Sequence, residues 1–89
     1  MKTFPLVISS PDGDIFKGDA YVLSLRGSEG NLAIMAGHVP FVTAVKAGNV
    51  KIELEDEDKL GKTDGGILNV SESTVTLLSG SFTWIEESK

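Results

Sequence analysis

The stretch Val50-Lys51-Ile52-Glu53-Leu54-Glu55 alternates apolar and charged residues without a break. Successive side chains of an extended strand point to opposite faces, so an extended backbone brings Val50, Ile52 and Leu54 onto one face. On a helix the same three would spread around more than half the circumference. The period of two recurs in Phe4, Leu6 and Ile8, in Tyr21, Leu23 and Leu25, in Val75 and Leu77, and in Phe82 and Trp84. No window of about eleven residues carries a stripe at helical spacing. Pro5, beside the first set, predicts either an edge strand or a strand start, because proline donates nothing to a sheet ladder.

Ten glycines cut these runs into short pieces. Ser10-Pro11-Asp12-Gly13 has proline and glycine where a tight turn wants them. Gly27-Ser28-Glu29-Gly30, Ala47-Gly48-Asn49, Gly65-Gly66 and Ser71-Glu72-Ser73 are the next turn signals. Short strands with turns every 8 to 12 residues or so predict an all-β sandwich or barrel. With no internal repeat and no linker, residues 1–89 read as one domain. A chain this short buries roughly 60–65% of the surface its unfolded form exposes, enough for one core with little stability to spare.

Charge and composition exclude several classes of function. The net charge is −5, with eight basic residues scattered along the chain. Nucleic-acid binding asks for clustered Lys and Arg, and direct docking on anionic lipid asks for the same, so neither is expected. There is no cysteine, hence no disulfide framework and no thiolate metal site. No apolar run approaches the ~20 residues that cross a bilayer, and the five-residue apolar stretch at the N-terminus is too short for a signal peptide. The expected state is soluble and cytoplasmic. Glu53 to Asp58 holds five acids in six residues. A solvated hairpin tip explains it, since a calcium loop needs alternate acids and a glycine at its sixth position.

Catalytic constellations are missing. There is no Gly-x-Ser-x-Gly elbow, no phosphate-binding Walker loop and no Gly-x-Gly-x-x-Gly opening a helix. The single histidine, His38, lies in Gly37-His38-Val39-Pro40, with no acid nearby in sequence to orient it. It reads as a loop histidine bonded to nearby backbone, with a partner contact as the alternative. Phe82 and Trp84 read as packing residues, or otherwise as an apolar surface left for a partner. No cofactor or metal is implied.

Three stretches taken together are specific. Pro11-Asp12-Gly13-Asp14-Ile15-Phe16-Lys17-Gly18 is the first. The second runs from Gly27-Ser28-Glu29-Gly30-Asn31-Leu32-Ala33-Ile34-Met35-Ala36-Gly37-His38-Val39-Pro40 on to Thr43-Ala44-Val45-Lys46-Ala47-Gly48. The third is Gly65-Gly66-Ile67-Leu68-Asn69-Val70 followed by Val75-Thr76-Leu77-Leu78. In order and spacing they resemble the N-terminal domain of the F-type ATP synthase epsilon subunit, called delta in mitochondria, over roughly residues 3 to 80.

That resemblance implies a β-sandwich of about ten short strands in two mostly antiparallel sheets. It implies a non-catalytic component of the central stalk of a proton- or sodium-translocating enzyme, held between the gamma subunit and the c-ring on the cytoplasmic face of the membrane. Matched motif positions imply gamma contacts at Ser10, His38, Val42 and Thr43, and c-ring contacts at Ser28, Glu29, Gly30 and Asn31. The family usually continues into a helical hairpin that inhibits hydrolysis in many members and binds ATP in some. The sequence stops at Lys89 without it, so neither role is expected. Asn31 and Ala33 stand where the family often has an acid and a glycine, and Arg26 where it has a small residue or proline. The rival expectation is a free-standing sandwich that serves as an interaction or ligand-binding module, because a fold of this kind hosts many functions.

Overall fold

The computed structural model describes residues 2–85. Ten strands account for most of them: β1 (Phe4–Ser10), β2 (Gly13–Ala20), β3 (Val22–Gly27), β4 (Gly30–Ile34), β5 (Phe41–Val45), β6 (Gly48–Glu53), β7 (Asp58–Thr63), β8 (Gly66–Val70), β9 (Val75–Ser79) and β10 (Phe82–Trp84). Hydrogen bonding links them in the order β10-β7-β6-β3-β5-β8-β9-β1-β2, with β4 on β3. The β3 to β5 link is one residue pair, Gly27 opposite Val45. The path therefore folds into two layers, β10-β7-β6-β3-β4 and β5-β8-β9-β1-β2, joined at a single corner. This is the expected sandwich, closed almost to a barrel. All pairings are antiparallel except β1 with β9, which is parallel.

The alternating sequence explains the core. Leu6, Ile8, Leu23, Ile34, Val50, Ile52, Leu68 and Leu77 are wholly buried, and each lies on the inward face of its strand. Leu54 completes its run only partially: β6 ends at Glu53, and Leu54 turns inward half-buried as its N–H donates to Glu57 O at 2.8 Å. Glu55 to Asp58 project as an exposed hairpin tip. Pro5 marks a strand start and not an edge. β1 is flanked on both sides, but its pairing with β9 begins only at Leu6, so the proline costs no ladder bond on that side.

The open side of the near-barrel is closed by side chains. Phe16 of β2 meets Trp84 of β10 edge-on at 6.2 Å, Phe82 meets Trp84 at 5.1 Å, and Lys59 Nζ sits 4.7 Å above the Trp84 ring. Phe82 and Trp84 are thus packing residues, half-buried against the core. No helix among the described residues is long and apolar enough to cross a membrane.

Candidate functional site

On the outward face of β5-β8-β9-β1-β2, the part made by β5, β8 and β9 is apolar where solvated strands are usually polar, while β2 carries Asp14, Lys17 and Asp19. Register places Ala44 opposite Ile67, Ile67 opposite Leu78, and Leu78 beside Ser9. The next row runs Val42, Asn69, Thr76, Val7. Val42 is 65% exposed, Leu78 51% and Ile67 43%. Three large aliphatic side chains and an alanine thus lie together on one open face, rimmed by Asn69, Thr76 and Ser9. A contiguous apolar surface with a polar rim is the mark of a surface that another protein covers.

The β3–β4 hairpin turns at Ser28 and Glu29, both exposed. Two-residue hairpin loops usually demand positive φ at a central position. Here neither central residue has it, and the next residue, Gly30, takes φ +131° in their place. The turn is tied to the other layer, because Ser28 N–H donates to Ala44 O at 3.1 Å and Lys46 N–H to Arg26 O at 2.9 Å. Between turn and β5 lies a shallow hollow lined by Ser28, Glu29, Gly30, Asn31, Val42 and Thr43. The structure therefore groups Val42 and Thr43 with the four residues expected at the c-ring. Val42 points outward, while Thr43 faces the other way, opposite Leu68 in register and partly covered.

Ser10 and His38 sit apart from that hollow and from each other. Ser10 ends β1, where its Oγ accepts from Asp12 N–H at 3.2 Å in the hairpin turn. His38 belongs to the loop entering β5: its N–H donates to Met35 O at 3.3 Å, Nδ1 lies 3.0 Å from Val39 O, and the ring leans on Phe41 at 5.0 Å. β1 and β5 run the same way, with Ser10 past the Ala44 row and His38 before Phe41. The two therefore mark opposite ends of one layer. A partner that touches both spans the apolar face between them.

Sequence reasoning missed Ala44, Ile67 and Leu78. Their signal was present in the doublets Ile67-Leu68 and Leu77-Leu78. Adjacent apolar residues on a strand must point to opposite faces, so in a two-layer sandwich one of each pair leaves the shared core. Among the described residues, no group of three or more acids and histidines is gathered so as to hold a metal ion.

Comparison with known proteins gives one consistent answer. Residues 3–85 match the family model described as ATP synthase, Delta/Epsilon chain, beta-sandwich domain. The chain is 35% identical over 79 residues to the ATP synthase epsilon chain of Bacillus velezensis, and 37% identical over 79 residues to that of Bacillus pumilus. Each alignment covers 89% of this chain and 60% of the relative, so the chain spans about three-fifths of the length of the curated relatives it matches. Among solved structures, a chain of the Euglena gracilis mitochondrial ATP synthase (OSCP/F1/c-ring) superposes with a TM-score of 0.88 at 21% identity, covering 98% of this chain and 56% of that one. A chain of the Tetrahymena thermophila mitochondrial ATP synthase central stalk and c-ring gives 0.79 at 14% identity, covering 91% and 66%. At such identities these two likenesses speak to fold alone.

Proposed function

The chain belongs to the ATP synthase delta/epsilon β-sandwich family, and from that membership we propose that it serves as a non-catalytic rotor subunit in the central stalk of an F-type ATP synthase. The observation that carries the reading is the apolar outer face of Val42, Ala44, Ile67 and Leu78. In this reading the gamma subunit covers that face, with Ser10 and His38 at its two ends. The turn Ser28, Glu29, Gly30 and Asn31 meets the polar loops of the c-ring, and Val42 and Thr43 lie where the two contacts adjoin. Ion flow, of protons or sodium, turns the ring, and the sandwich passes torque to gamma. Close packing suits that task, because a dense core yields little under load. The subunit works at the cytoplasmic face of the membrane through its partners, without catalysis, cofactor, nucleic acid or direct lipid contact, and without ATP binding by the sandwich itself.

The reading is tested by co-purification with gamma and the c-ring from the same source. Leu78→Asp puts a charge where gamma would exclude water and is expected to reduce recovered gamma at least tenfold. Glu29→Lys is expected to weaken ring recovery while gamma stays bound, and His38→Ala to weaken gamma recovery more mildly. All three side chains are exposed, so folding should be unaffected. Wild-type recovery of both partners by all three variants would refute the assignment.

A further inference from the structure

The outer face of the other layer has the opposite character. Asn31 pairs with Arg26 across β4 and β3, Asn49 pairs with Lys62 and Lys62 with Thr83 across β6, β7 and β10, and Lys51 stands beside Ser24. The β3–β6 ladder ends at Ser24, and Arg26 and Asn49 meet beyond it as walls of one hollow. Three of the chain's eight basic residues therefore share one face, with Glu53 and Asp58 at its far end. Lys51 reaches Asp58 at 3.7 Å. Arg26 is the only arginine in the chain, and among the described residues no carboxylate comes within salt-bridge distance of it. Arg26 lines an open hollow together with Ser24, Ala33 and Gly48, the leucines Leu25 and Leu32, and carboxamides at Asn31 and Asn49. A Cβ at Gly48 would meet only the Arg26 Cβ, at 3.9 Å, so the space beside Gly48 is open.

We propose that this hollow takes the carboxylate of an aspartate or glutamate presented by the protein that docks at the β3–β4 turn. A planar guanidinium pairs with a planar carboxylate through two parallel hydrogen bonds, and two carboxamide N–H groups nearby can donate to the same oxygens. The hollow directly adjoins the turn, since Arg26 is the register partner of Asn31. Arg26 and Lys62, which no carboxylate among the described residues pairs, favour an acidic partner segment, whereas Lys51 is held by Asp58. An anionic bilayer fits poorly, because the chain as a whole carries −5 and the acidic tip, Glu55 to Asp58, joins two strands of this same layer. The inference rests on the stalk reading only for which protein brings the carboxylate, not for the chemistry of the hollow.

The test is a titration of the full chain followed by 15N NMR, which needs no stalk partner. The probes are a capped Ala-Glu-Glu-Ala peptide, inorganic phosphate, and phosphatidylglycerol vesicles. The expected result is saturable binding of the peptide at millimolar strength, with shifts in the Arg26 side chain and in the Asn31 and Asn49 amides. Arg26→Gln should weaken it about tenfold or more, and Arg26→Lys severalfold, because lysine keeps the charge but loses the fork. Backbone spectra show that each variant is folded. No saturable shift at these residues overturns the proposal. So does peptide binding that is indifferent to Arg26→Gln, phosphate binding as tight as the peptide's, or vesicle binding in preference to the peptide. If the chain binds peptide through Arg26 yet fails to co-purify with gamma and ring, the stalk reading falls and the carboxylate site stands.

Discussion

Gly66 opens β8 where a Cβ would run into the main-chain carbonyl of Leu78 on β9. Backbone cannot swing aside as a side-chain tip can, so Gly66→Ala must force the paired strands β8 and β9 apart. It should cost about 3 kcal/mol or more. Gly13 is the natural control: its φ is +128°, but a Cβ there meets nothing within 4 Å. Gly13→Ala should therefore cost only the backbone strain, about 1–2 kcal/mol. Urea denaturation of both variants checks the order; equal losses would contradict the contact argument. A second residue-scale test lies in the buried hydroxyls. Gly65 N–H donates to Thr63 Oγ1 at 3.0 Å, Thr63 Oγ1 and Ser79 Oγ are 2.6 Å apart, and Ser79 Oγ donates to Ser81 O at 2.8 Å. The relay ties the β7–β8 turn to the β9–β10 turn. Thr63→Val leaves a part-buried Gly65 N–H and the buried Ser79 hydroxyl each short of a partner and should cost about 1–3 kcal/mol by the same denaturation assay. Adding Ser79→Ala to it should cost less than the sum of the two single changes, because they share one bond.

The short strand β10 shows what an element can owe to its neighbours. Three residues pair with β7, and the Phe82 ring lies over Gly61, filling the space a side chain would take. Phe82→Ala uncovers that glycine and removes the edge-on contact with Trp84. The half-buried ring predicts a loss of about 2 kcal/mol and earlier hydrogen exchange at Gly61 to Thr63, measured by NMR; unchanged exchange there would show that β10 is held by its backbone alone. Elements of this kind were the hard ones to see in the sequence. β1, β3, β6 and β9 announce themselves because each hides clean alternating aliphatics. β7 does not: Gly61 and Thr63 occupy its inward positions, one covered by a borrowed ring and the other satisfied by hydroxyl bonds. β2 carries Asp14, Lys17 and Asp19 and buries only its last residue, Ala20, completely. The parallel pairing of β1 with β9 joins segments far apart in sequence, and no local pattern encodes it. At the candidate site, the turn at Ser28 and Glu29 was legible because glycines flank it. The apolar face was legible only in part: the doublets Ile67-Leu68 and Leu77-Leu78 each send one aliphatic outward, but β5, β8 and β9 gather them onto one face only once they pair.

Over the whole molecule, the Cα radius of gyration is 12.0 Å, which agrees with about 12 Å for a compact chain of this length. Total stability for such a chain is about 4–13 kcal/mol, so a core truncation is a large fraction of it. Leu77→Ala, at a wholly buried position, should cost about 2–5 kcal/mol and lower the urea midpoint accordingly. A shift within error would mean that the two layers do not pack as one core. The two outer faces differ in kind. One is aliphatic, the other polar and locally basic, and the β3–β4 turn stands at the corner where Gly27 and Val45 join the layers. A body with two unlike faces and a shared corner can meet two partners at once without either displacing the other, as the proposed stalk role requires. The most direct measurement is calorimetric titration of the chain with the folded gamma subunit of its own source. The account predicts saturable one-to-one binding at micromolar strength or tighter, with a negative heat-capacity change from apolar burial, and loss of that binding in Leu78→Asp. Absence of binding between two demonstrably folded proteins, or full binding by Leu78→Asp, would contradict it.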